Sequence, residues 1–350
     1  MSNDCEQVIL SSKETCSIYN RLAKAEADAL YAKNLFDVLK EEAILPPDTF
    51  YFDFFGDAGE IGTAQTALMN RLIEDSPHVI LMAGDNTYTY PLDLVANIAD
   101  HAFVSRWREE CRVFPALGNR DLNVEPMGEI TYDLYPYLPN NRRYYSKYFK
   151  NTGTEIFVLN VGWDSSITLI EPDGDTVGSI QYQWFVDAVT KSTAKWKIVM
   201  FHHPFFSQSE GASPPQYISG MNWEFGDFGI DLVINGHSHL NVHHEYDGVP
   251  YVQTSMPVKV GRDTRHASDA PYSIFPGVVL KYKDVRDAPY RGLPAYGRLV
   301  ISQDKIVVQF VDIATGSVFH CFVITNCNEF PLDEICPGEI YNWDCPECAV

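Results

Sequence analysis

Five residues able to bind a metal stand where an apolar run gives way to a polar turn: Asp57, Asp85, Asn119, His202 and His237. Further candidates follow at short spacing. Tyr88 lies three residues after Asp85, Asp121 two after Asn119, and His239 two after His237. Carboxylate, amide and phenol oxygens are hard donors and imidazole is borderline. That mixture suits Fe, Mn, Zn or Mg rather than a thiolate-loving metal. A carboxylate shared by two ions can hold them ~3.5–4 Å apart, the spacing used for in-line displacement at phosphorus, and Asp85 is the natural bridge. A lone Gly-Asp is most often a turn, and a lone His-x-His is more often exposed or structural than a ligand. The ordered series is what points to a site.

Ligands of an α/β sheet gather outside the carboxyl ends of its strands, so the elements ahead of these turns must position them. From Phe50 the chain alternates strands and helices. Apolar strands are predicted at 50–55, 78–83, 113–117, 144–149, 155–161, 197–201 and 232–235, and helices at about 62–75, 91–109 and 179–191. A run of strands closes the domain at 249–254, 275–282, 297–302, 305–311 and 317–324. Before it, residues 16–44 carry apolar positions at alternating spacings of four and three, from Ile18 to Ala43, and read as one long helix stopped by Pro46-Pro47. That stripe must be buried on this domain or on another subunit, and both remain open. The expected division is a helical extension at 1–48, one domain at 49–324 and a Cys-rich tail at 325–350.

Charge and composition bound the partners. The 26 basic residues against 47 acidic ones give a net charge of -21. With no basic run, a nucleic-acid backbone is not expected as partner. A phosphate ligand would need positive charge concentrated at its site, and bound metal ions are the obvious source. No stretch approaches the ~18 apolar residues of a membrane span. The first ten residues do not read as a secretory signal, so a cytoplasmic or assembly-bound protein is expected rather than a secreted one. Eight cysteines fall at 5, 16, 111, 321, 327, 336, 345 and 348. Without a signal, mostly reduced thiols are expected; a tail disulfide or a zinc site at Cys345-Pro-Glu-Cys348 are the alternatives.

The motifs in order are Gly56-Asp57-Ala58-Gly59, Gly84-Asp85-Asn86-Thr87-Tyr88, Gly118-Asn119-Arg120-Asp121, Val199-Met200-Phe201-His202 and Gly236-His237-Ser238-His239. The series resembles the purple acid phosphatases of the calcineurin-like metallophosphoesterase superfamily, most of all their small, tartrate-resistant form. Arg143-Tyr144-Tyr145-Ser146 and His202-His203-Pro204-Phe205-Phe206-Ser207 extend the likeness, which covers about 50–324. The resemblance implies a four-layer αββα sandwich. It implies ferric iron on Asp57, Asp85, Tyr88 and His239, and a divalent Fe, Zn or Mn ion on Asp85, Asn119, His202 and His237. A hydroxide held by these ions would attack the phosphorus of a phosphate ester.

The departures bear on substrate. The family carries His where this chain has Arg120, and a second His in a segment that here reads Ser209-Glu210-Gly211. That first His touches phosphate and helps protonate the leaving group. Arg cannot act as an acid near neutral pH, but it can bind phosphate oxygens bidentately. Arg120, Asp121 and His203 are therefore the candidate catalytic residues, with His203 read as an outer-sphere or core group rather than a ligand. His243 and His244 are expected in solvent or packing roles; His78, His101, His266 and His320 are taken as structural or exposed. The expected function is metal-dependent phosphate-ester hydrolysis. The alternatives are a phosphodiesterase or nucleotide hydrolase, or a weakly active structural subunit that self-associates or joins an assembly through residues 16–44.

Overall fold

The computed structural model describes residues 49–59, 62–88, 107–124, 133–139, 143–161, 171–209, 221, 223–254, 267–273, 277–283 and 294–325. The helix expected at 16–44, most of that at 91–109, His101, Glu210, His266 and the Cys-rich tail lie outside them.

Two mixed sheets form the body. The first joins β1 (Phe50–Phe55), β2 (Val79–Met82), β3 (Val113–Pro115), β13 (Ala295–Ile301), β14 (Lys305–Asp312) and β15 (Val318–Thr325), in the order β15-β14-β13-β1-β2-β3. The second joins β4 (Tyr145–Phe149), β5 (Thr154–Val158), β6 (Trp196–Met200), β8 (Leu232–Asn235), β9 (Val242–Tyr246), β10 (Val249–Gln253) and β12 (Val279–Lys283), in the order β12-β9-β10-β8-β6-β5-β4. A small pair, β7 (Phe206–Ser209) with β11 (Ala267–Ser273), stands apart.

The period of two in strand side chains builds the layers. Ile156, Val158, Ile198, Met200 and Ile234 turn into the core shared with Phe52, Phe54 and Val308 of the first sheet. Rings of Phe52 and Phe149 meet across it at 4.8 Å. The alternate residues Phe157, Val199, Phe201 and Val233 face the other way, where Phe185 and Val189 of α3 (Ile180–Lys191) cover them. On the outer side of the first sheet, α1 (Thr63–Asp75) buries Leu68, Met69 and Leu72. Asp53 pairs there with Arg298 through two bonds of 2.8 and 2.9 Å, and Arg298 reaches Asp75 at the end of α1. The chain is thus an αββα sandwich. The parallel strands β1-β2-β3 and β5-β6-β8 lie in its two facing sheets.

One expectation changes. Cys111 and Cys321 are disulfide-bonded, not free thiols. Cys111 precedes β3 and Cys321 lies in β15, the opposite edges of the first sheet. Five strand spacings of ~4.8 Å separate those edges, far beyond the ~7 Å that a disulfide spans between Cα atoms. The two therefore belong to separate bridges. His78, His243, His244 and His320 all sit in or beside strands, in keeping with the structural and packing roles expected of them. His243 and His244 are buried, and a ring nitrogen of His243 lies 3.2 Å from one of His320.

Peptide mapping without reductant should accordingly find two different cross-linked pairs, one holding Cys111 and one holding Cys321. Full reduction should lower the melting temperature, each bridge being worth ~2–4 kcal/mol. A single pair joining the two would contradict the strand order.

Burial holds His244 neutral, with its pKa pushed down to about 3. An unfolded His takes a proton near ~6.5. The unfolded chain therefore binds it first as pH falls, and the stability present above pH ~6.5 is lost toward pH 3. At pH 5 this one group accounts for up to ~2 kcal/mol. Urea unfolding at pH 7.5 and 5 should show a smaller acid loss in His244→Gln than in wild type. Equal losses would mean that His244 is already protonated in the fold.

Candidate metal centre

Each candidate ligand follows a parallel strand. β1 delivers Asp57, β2 Asp85 and Tyr88, β3 Asn119, β6 His202, and β8 His237 and His239. The turns are sewn together by backbone bonds: Asp57 N to Gly84 O at 2.9 Å, Gly59 N to Asp85 O at 3.1 Å, and Gly236 N to His202 O at 2.9 Å. Asp57, Asp85, His237 and His239 all adopt left-handed backbone, with φ of 61, 53, 70 and 54°. Such residues cost ~1–3 kcal/mol each and collect at functional sites. Two glycines permit the close approach. A Cβ on Gly84, itself at φ 83°, would stand 2.7 Å from His202 Nδ1, and one on Gly118 would run into Asp85 Oδ1.

The donor atoms converge. Asp57 Oδ1 lies 3.1 Å from His239 Nε2 and 3.2 Å from the Tyr88 hydroxyl, and that hydroxyl lies 3.3 Å from His239 Nε2. Neighbouring ligands bound ~2.1 Å from one ion stand ~3.0–3.4 Å apart, so this triangle has the edges of a coordination face. On the other side, Asp85 Oδ1 lies 3.3 Å from His202 Nε2, and Asn119 Oδ1 lies 3.1 Å from His237 Nδ1. His202 Nδ1 sits 2.7 Å from the Ala83 carbonyl. Donation there fixes the tautomer and leaves Nε2 facing Asp85, with no hydrogen-bond partner of good geometry. Asp57, Asp85 and His202 form one group that could hold an ion; His202, His203 and His237 form another. The donor set fits two cations.

The electrostatics agree. Burial would raise the Asp57 carboxyl, but His239 and His202 hold it below its ordinary value. Burial would lower the His202 imidazole, but Asp85 and Asp57 raise it. Burial together with Asp57 and Asp85 pushes the Tyr88 phenol well up. The phenol would become a phenolate only against a strong positive charge.

The candidate catalytic residues occupy three different settings. Asp121 is buried in α2 (Asn119–Val124), a short helix where the sequence suggested only a turn. Its Oδ2 accepts from Gly118 N at 2.8 Å and Asn86 Nδ2 at 3.0 Å, and its Oδ1 from Thr87 N at 3.0 Å. It ties the turn after β2 to the turn after β3. Arg120 is exposed beside the cluster. Its backbone N–H donates to Asp85 Oδ1 at 2.8 Å, and its guanidinium lies 5.6 Å from the Tyr88 ring centre. His203 is buried, its ring 4.9 Å from that of His202 and 4.5 Å from that of His237. The supporting roles of Asn86 and of the Ala83 carbonyl were not foreseen. Asn86 sits inside the second motif and could have been read as a brace; a carbonyl leaves no trace in sequence.

Residues 51–241 match the calcineurin-like phosphoesterase family, and the chain belongs to it. Among solved structures it is similar to a purple acid phosphatase from yellow lupin seeds. The TM-score is 0.59 and the identity 14%, over 79% of this chain and 54% of that one. It is also similar to GAP50, described as the anchor in the inner membrane complex of Plasmodium. There the TM-score is 0.55 and the identity 15%, over 79% of this chain and 89% of that one. This chain thus spans about half the length of the phosphatase it matches. No curated protein matches the sequence. Among the described residues no helix is long and apolar enough to cross a membrane.

Asp85 clusters with Asp57 and His202, and the resemblance to purple acid phosphatases implies that it serves both ions. Asp85→Ala should therefore reduce metal content from about two ions per chain to a small residue, measured by elemental analysis, with the circular dichroism unchanged. A variant that keeps both ions would remove Asp85 from the bridging position.

Proposed function

We propose that this chain binds two metal ions and hydrolyses phosphate esters. The observation that carries the reading is the triangle of Asp57 Oδ1, Tyr88 hydroxyl and His239 Nε2, with edges of 3.1–3.3 Å. Asp57, Asp85, Tyr88 and His239 would hold ferric iron, and Asp85, Asn119, His202 and His237 a divalent Fe, Zn or Mn ion. Bound there, the ions would supply positive charge for the phosphate oxygens and acidify a water.

The chain's own residues supply orientation and binding. Ala83 and Asp121 hold the ligand turns in register. Arg120 makes no ion pair with a described residue, although its chain carries an acidic excess of 21. Its side chain is exposed beside the cluster and suits phosphoryl oxygens, which it can grip with two parallel N–H bonds. It cannot donate a proton to the leaving group. That group then departs largely as an anion, and general-acid help worth ~10²–10⁴-fold is missing at this position. Aryl phosphates and phosphoanhydrides are therefore better substrates than alkyl phosphates.

A phosphodiesterase or nucleotide hydrolase is the second reading, favoured if Arg120 serves as a binding group in place of an acid. A scaffold of little turnover is the third. The likeness to GAP50 does not choose between scaffold and enzyme, since the same fold is shared with the phosphatase.

A series of substituted phenyl phosphates and one diester, assayed on the metal-loaded protein, tests this reading. Rate should depend steeply on leaving-group pKa. Arg120→Ala should raise KM ~10-fold while kcat changes less, the signature of lost uniform binding. A fall in kcat alone would make Arg120 part of the chemical step. No turnover of any ester by the two-metal form would leave the scaffold.

A further inference from the structure

We infer that His203 is a third imidazole ligand of the second ion, beside His202 and His237, and that it biases this position toward zinc over manganese. The inference rests on the two-metal reading above. It adds a ligand where the resemblance to purple acid phosphatases implies none, and where the sequence alone suggested a core or outer-sphere group.

One nitrogen from each of the three rings lies within 4.8 Å of the other two. Ring centres of His202 and His203 are 4.9 Å apart, those of His202 and His237 5.1 Å, and those of His203 and His237 4.5 Å. All three are buried, His202 and His203 to 1% exposure and His237 to 7%. Consecutive residues of a strand point to opposite faces. His202 and His203 do not alternate, because β6 ends at Met200 and both lie in the bend that follows. The bend brings the two neighbouring rings to one side, against His237 from the turn after β8. Three imidazoles thus share one buried pocket, next to Asn119 Oδ1 and Asp85 Oδ1.

Donor chemistry supplies the consequence. With His202 and His237 alone, the second ion has a balanced oxygen and nitrogen set that manganese tolerates. A third imidazole makes nitrogen the majority among the His and carboxylate donors. Nitrogen-rich sets favour zinc over manganese beyond the general order of affinities, since manganese suits carboxylate and water. A zinc site with three imidazoles and an oxygen is a familiar coordination set. The triad excludes Tyr88 and His239, which close on Asp57 instead, so the two positions become chemically unlike: oxygen-rich on one side, nitrogen-rich on the other.

The first measurement needs no variant. One equivalent of zinc is added to metal-free protein, and X-ray absorption counts the imidazoles around it. Three are expected; two would overturn the inference. In the second, wild type, His203→Phe and His203→Gln compete for equimolar zinc and manganese, with bound metal read by elemental analysis. Both variants should lose zinc affinity ~10–100-fold with much less change for manganese, so selectivity collapses. Equal loss of both metals, or none, would mark His203 as a packing residue. Wild type that binds no metal would remove the two-metal reading itself, whereas two ions with an unaltered selectivity in the variants would remove only the role of His203.

Discussion

Two buried carboxylates at the ends of adjacent parallel strands impose the main constraint on this molecule. Asp57 follows β1 and Asp85 follows β2, and the two are 1% and 2% exposed. Charge in such a place is expensive unless countered. His202, His239 and backbone N–H groups provide part of the compensation: His237 N donates to Asp57 at 2.8 Å and Arg120 N to Asp85 at 2.8 Å. What they leave is an array of lone pairs aimed inward. The surrounding design follows from keeping that array together. Two sheets face each other so that β1, β2 and β3 on one side and β6 and β8 on the other deliver their carboxyl ends to one cleft.

The same constraint accounts for the backbone. A residue leaving a strand in extended conformation sends its side chain above or below the sheet. Turning it into the cleft needs a reversal, and Asp57, Asp85, His237 and His239 achieve this in the left-handed region. Single cross-bonds between turns would not hold four such residues, but the turns are linked pairwise, β1 to β2 and β6 to β8. Asp121 adds the link from β2 to β3. Its position explains how an acidic residue so close to Asp85 can be useful without touching a ligand: its oxygens are spent on Gly118, Asn86 and Thr87.

Much of this was legible in the sequence, for a physical reason. A strand buried on both faces reads as a continuous apolar run, and Leu232–Asn235 or Lys197–Phe201 could hardly be anything else. Polar residues at the ends of such runs then stand out. The pair β7 and β11 did not. β11 contains Asp269 and Pro271 and its register with β7 shifts between Ala267 and Tyr272, so pairing with a neighbour, rather than propensity, makes it a strand. The helix at Asn119–Val124 was hidden by its brevity and by the motif it carries. The cysteines misled because compartment was inferred from the first residues, whereas Cys111 and Cys321 are bridged. His203 was the subtlest: whether it faces core or cleft depends on a bend after β6 that no periodicity announces.

Arg120 and His203 bear on the proposed chemistry from two different sides. Arg120 in place of an acid removes proton delivery but adds a fixed positive charge beside the cluster. His203, as a ligand of the second ion on the inference above, would add a neutral donor within it. A neutral donor brings no negative charge to its ion, so the ion would keep more of its positive charge than a further carboxylate would leave it. On the proposed reading, the Arg120 guanidinium beside the ions would let more of the negative charge developing at phosphorus and on the leaving oxygen be held by fixed cations. Compensation of this kind works best when the leaving oxygen itself becomes an anion. On the proposed reading, Arg120 therefore favours substrates whose leaving groups depart charged over those that must be protonated first.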